Sequence, residues 1–66
     1  MGEGGEARAD DPFDRERLRG QEALQVEDWG KAVYHLSIAA TLRPEAQDVR
    51  EDLRRARKMK KEQQTG

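Results

Sequence analysis

The chain has 66 residues, 41% of them charged, with no cysteine and a formal net charge of −1. This length excludes more than one small domain, and the lack of cysteine excludes a disulfide framework or a thiolate metal site, which fits a reducing compartment such as the cytoplasm. Apolar runs reach only two or three residues, which excludes a membrane span, and a pI near 5.8 argues against a dedicated nucleic-acid binder.

Residues 1–10 (MGEGGEARAD) lack periodicity and large apolar groups and read as a disordered leader. Met1-Gly2 raises N-myristoylation, but Glu6 stands where that motif needs Ser or Thr. Order is expected from Asp11, an N-cap followed by Pro12 at the first helical position and Asp14 in the first turn. A first helix is predicted over 12–26, with the stripe Phe13, Arg17, Gly20, Leu24 and Ala23 beside it. Asp28 caps a second helix over 29–42. One of its stripes is Trp29, Ala32, Val33, Leu36, Ala39 and Ala40; another is Tyr34, Ile38 and Leu42. Two apolar faces call for two covers, so this helix is expected between the other two. Pro44 forces Arg43 out of the helical region and ends it.

A third helix is predicted over 45–62, apolar at Ala46, Val49, Leu53, Ala56 and Met59 or Lys60, with residues 63–66 as a disordered tail. The resulting fold class is all-α: an antiparallel helix-turn-helix hairpin plus a third, solvating C-terminal helix. Apolar side chains are few for a chain of this size, so a partner surface or a second copy is expected to complete the core. Acids gather at the start and six bases fall in residues 54–61, an order that the dipoles of the first and last helices explain. The alternative is a basic helix end for an acidic partner or an anionic surface.

No convergent catalytic set emerges, so the chain is read as a non-enzyme with no cofactor and no metal. His35 is the only histidine and has no cysteine or second histidine to share a metal. Asp10, Asp11 and Asp14 are explained by capping, and no calcium-loop pattern surrounds them. The glycines of Gly2-Glu3-Gly4-Gly5 follow no strand and form no phosphate loop. Trp29 and Tyr34 beside a basic tail suggest base stacking, but Trp29 shares the stripe of Val33 and Leu36 and is read as core.

The series Gly20-x2-Ala23-x8-Ala32-x3-Leu36-x2-Ala39-x4-Pro44 resembles the tetratricopeptide repeat, whose 34-residue pattern runs W-x2-L-G-x2-Y…A-x3-F…P. The likeness spans about residues 13–57, with Glu16 and Arg19 in place of the pattern's Trp and Leu and Ala23 in place of its Tyr. It implies that Gly20, Ala23, Ala32, Leu36, Ala39 and Pro44 pack one repeat, with Leu53 on a closing helix. It also implies a groove lined by Asp14, Arg17, Leu18, Gln21, Leu24 and Gln25, continued by Asp48, Glu51, Asp52 and Arg55. Arg17 and Gln21 fall near two positions of the family's carboxylate clamp, but the rest are acidic or apolar, so no clamp is implied. The chain is more loosely similar to the microtubule-interacting and trafficking domain, a three-helix bundle that binds short helices beside its last helix. Both likenesses imply an interaction module or small adaptor, with another protein or a second copy as partner; the pI disfavours nucleic acid, and the short apolar runs leave no membrane span.

Overall fold

The computed structural model describes residues 11–65, with side chains through Gln64, so the leader at 1–10 and Gly66 lie outside the described residues. Three helices follow in order: α1 (Pro12–Gln25), α2 (Trp29–Leu42) and α3 (Gln47–Thr65). The protein is all-α, a closely packed hairpin with a third helix on its second member. α2 packs along both neighbours, whereas α1 and α3 meet at few points. Among the described residues no helix is long and apolar enough to cross a membrane.

Local chemistry sets each boundary. The Phe13 amide donates to Asp11 Oδ1 at 3.0 Å, satisfying one of the free amides of the first turn, and Pro12 has none to satisfy. α1 ends at Gln25, and Val26, expected as its last residue, is the C-cap. The Asp28 amide donates to the Ala23 carbonyl at 2.8 Å and that of Glu27 to Leu24 at 3.1 Å, the paired bonds of a Schellman closure. The closure needs a left-handed residue, and Glu27 supplies it at φ 61 without being a glycine. Asp28 then opens α2 by accepting the Lys31 amide at 3.2 Å.

Arg43, ahead of Pro44, is extended at φ −139 and ψ 87, as proline sterics require. The Ala46 amide donates to the Arg43 carbonyl at 3.1 Å, closing a four-residue turn with Pro44 at its second position. That turn uses the residues expected to begin the third helix, so α3 starts at Gln47 rather than 45. It also runs past the expected end at 62 to Thr65. Glu62, Gln63 and Gln64 are good helix formers, and no breaker precedes Gly66.

The core is a close approach of small residues around two anchors. Ala23, Ala32, Ala39 and Ala56 are buried with Phe13, and the largest fully enclosed side chains are Leu36 and Val49. Gly20 lets α1 settle onto Leu36, since a Cβ there would stand 2.5 Å from Leu36 Cγ. Leu24, Val33, Ala40, Ala46 and Leu53 lie partly buried against this cluster. Gly20, Ala23, Ala32, Leu36 and Ala39 of the repeat-like series therefore fall in the core and Leu53 of the closing helix against it, whereas Pro44 is exposed in its turn.

One expectation is overturned. The stripe Tyr34, Ile38, Leu42 is left largely uncovered: Tyr34 is 64% and Leu42 46% exposed, with Ile38 half-buried between them. α1 and α3 instead share one broad face of α2, α1 meeting it at Leu36 and α3 reaching Ala40 and Gly30, where Lys60 lays its aliphatic stem near the first turn. The back of α2 is left to solvent.

Candidate docking surfaces

Two surfaces flank α3, one toward α1 and one toward the end of α2. On the first, Arg17 of α1 reaches Asp48 of α3, its Nε donating to Oδ2 at 2.9 Å with Nη2 in ion-pair contact with the same oxygen at 2.8 Å. This side-chain hydrogen bond, helped by the Val49 amide and the guanidinium charge, holds the Asp48 carboxyl below its ordinary value of 3.8 against the opposing effect of burial. Both side chains stay largely solvated, so the tie positions more than it stabilises.

The residues that the repeat likeness assigns to a groove are dispersed. Arg17 and Asp48 are brought together, and Gln21, Leu24 and Asp52 lie half-buried. Asp14, Gln25 and Arg55 are exposed. Leu18 is 56% exposed, on the side of α1 turned away from Gly20 and the core. The paired charges leave this face without an apolar floor.

The second surface has one. A groove of about 570 Å³ runs between the end of α2 and the middle of α3, lined by Ala40, Pro44, Leu53, Arg50, Arg54 and Arg57. Ala40, Pro44 and Leu53 supply apolar floor. The arginines recur at i, i+4 and i+7, so they stand in one row along α3. A shallower extension is lined by Gln47, Arg50, Glu51 and Arg54. Among the described residues none of the three arginines makes an ion pair or side-chain hydrogen bond. Arg43, one residue before the groove's Pro44, is by contrast occupied: Nη2 donates to Asp11 Oδ2 at 3.0 Å, and its guanidinium lies 4.8 Å from the Phe13 ring centre.

The row Arg50, Arg54, Arg57 is a candidate contact feature of which the basic run at 54–61 gave only Arg54 and Arg57, without Arg50 or the facing wall. Its spacing is visible in the sequence, but the partner wall of Ala40 and Pro44 appears only once α3 folds back on α2.

On the opposite edge of the hairpin, His35 Nδ1 donates to Glu16 Oε1 at 2.6 Å, joining α2 to α1. Tyr34 meets the His35 ring edge to face, with centres 5.0 Å apart. This gives Glu16, which departs from the repeat pattern, a structural role of its own. Among the described residues no group of three or more His, Cys, Asp or Glu stands close enough to hold a metal ion.

Comparison with known protein families, curated proteins and solved structures returns no match.

Proposed function

We propose that the chain is a non-enzymatic protein-docking module, a small adaptor built as one tetratricopeptide-like repeat with its closing helix, which seats a helical segment of a partner protein in the α2–α3 groove. The observation that carries this reading is an apolar floor beside a row of three unpaired arginines. A groove between two antiparallel helices fits the ridge of a third helix, about 10 Å across with its side chains. Ala40 permits close approach, Leu53 offers an anchor, and the arginine row favours carboxylates along one edge of the incoming helix. The partner so described is an amphipathic helix with one acidic flank. A soluble, reducing compartment such as the cytoplasm suits a chain without cysteine.

The test is fluorescence anisotropy of a labelled acidic amphipathic peptide titrated with the full chain, alongside a single-stranded oligonucleotide of similar charge. Saturable peptide binding that Arg54→Glu abolishes and Arg55→Glu leaves within about twofold supports the α2–α3 groove, since one such charge contact is worth about 1.5–3 kcal/mol. Loss with Arg55→Glu alone moves the site to the α1–α3 face. Binding of the oligonucleotide only, falling steeply with salt, replaces the docking function with an anionic-polymer one.

A further inference from the structure

The back of α2 is unusual for this molecule. In a chain that is 41% charged, α2 carries Lys31 as its only Lys, Arg, Asp or Glu, and the exposed Tyr34 and Leu42, with the half-buried Ile38 between them, form one stripe along its outer side. An apolar stripe bordered by heavily charged helices marks a contact surface. Its pattern also specifies the kind of contact.

We propose that this face is a self-association surface, on which two copies of the chain pair antiparallel through α2 about a two-fold axis at Ile38. Tyr34 and Leu42 each lie four residues from Ile38, so a two-fold axis there sets each Tyr34 on the other copy's Leu42 and each Ile38 on its own equivalent. The stripe is therefore complementary to itself. Charge selects the direction. A parallel pair stacks Lys31 on Lys31, whereas the antiparallel pair carries Lys31 toward the other copy's turn, where Glu45 is exposed and Arg43 is already held by Asp11. Antiparallel α2 helices also oppose their dipoles.

The Tyr34 ring is partly positioned in advance, because His35 meets it edge to face and is itself fixed by Glu16. Less rotamer freedom is then lost on pairing. The arginine row is a poor alternative for self-contact, since two copies meeting there bring Arg50, Arg54 and Arg57 against like charges. It stays open in the paired molecule, so self-association and the proposed docking groove are independent.

Three side chains per copy make a small contact, and the expected dissociation constant is about 10–100 μM, in the range of weak, transient interfaces. Sedimentation equilibrium of the full chain across that range reads it directly. Ile38→Glu places two acids face to face on the axis and raises the constant at least about 30-fold, a hot-spot-sized effect. Tyr34→Lys and Leu42→Glu each weaken pairing alone, and an equimolar mixture restores it, because each lysine then meets the other copy's glutamate.

Geometry is tested separately, aided by a natural sequence free of cysteine. Ile38→Cys cross-links to itself under mild oxidation. Tyr34→Cys does not, but it cross-links to Leu42→Cys. A wild-type chain that stays monomeric to about 1 mM overturns the proposal, well beyond the expected constant. Self-linking of Tyr34→Cys as efficient as that of Ile38→Cys overturns the antiparallel arrangement. Tyr34 is mostly exposed, so its variants report on pairing without disturbing the fold.

Discussion

The two helix junctions of this molecule are built by different means. Between α1 and α2 the fit depends on the absence of side chains: Gly20 lies on Leu36, alanines face one another, and the three-residue break is capped on both sides. Between α2 and α3 the contact depends on Val49, with Ala56 enclosed further along, and its outer edge opens into the arginine-lined groove. One junction is closed and the other keeps a side available for binding.

Val49→Ala tests the looser junction most severely. It removes two methyl groups from one of the two fully enclosed large side chains, and the expected loss is about 2 kcal/mol in a urea unfolding curve followed by circular dichroism. If α3 docks as loosely as the contrast implies, its amides lose hydrogen-exchange protection before those of α1 and α2.

Gly20→Ala probes the closed junction with an added atom. Alanine favours a helix by about 1 kcal/mol over glycine, but the new Cβ meets Leu36 Cγ at 2.5 Å and Cδ2 at 2.6 Å, and overpacking costs about 1–3 kcal/mol. A net loss of about 1 kcal/mol is expected. A gain in stability means that the hairpin yields more readily than the α2–α3 contact, which inverts the comparison.

Glu27→Gly acts in the opposite direction. The residue sits at φ 61, where a side chain costs about 1–2 kcal/mol, and glycine returns part of that to entropy in the unfolded chain. The expected gain is about 0.5–1 kcal/mol in the same assay.

The smallest effect concerns the Arg17–Asp48 tie that joins α1 to α3. Folding lowers the Asp48 carboxyl below 3.8, so its contribution is complete above that value and is lost as pH falls through the lowered one. Wild type is therefore expected to exceed Asp48→Asn slightly in melting temperature at pH 7, and the difference should vanish in strong acid.

The helical hairpin was legible because its signals are local. Asp11-Pro12, Asp28 and Pro44 act within a turn of where they stand, and each ends or begins a helix near the expected place. The stripe Tyr34, Ile38, Leu42 was misjudged because periodicity shows which residues share a face, not which neighbour covers it. Ala40 next to Leu53 depends on the register of α3 against α2, and Pro44 sets only where that helix can start. The last turn of α3 was cut short because past Ala56 only Met59 is there to bury, a criterion that overlooks the helix preference of Glu and Gln. Of the residues assigned to a groove by the repeat likeness, Arg17 and Asp48 do meet, whereas Leu18 is left exposed.

Asp28 ends one helix with its amide and starts the next with its carboxylate. The stretch from Ala23 to Lys31 can therefore adopt its turn with contacts no more than five residues apart, before any distant part of the chain has arrived. Such a turn is a natural place for folding to begin, and local nuclei form within microseconds. Asp28→Ala is then a kinetic substitution as well as a destabilising one, slowing refolding in proportion to its loss of stability while leaving unfolding nearly unchanged.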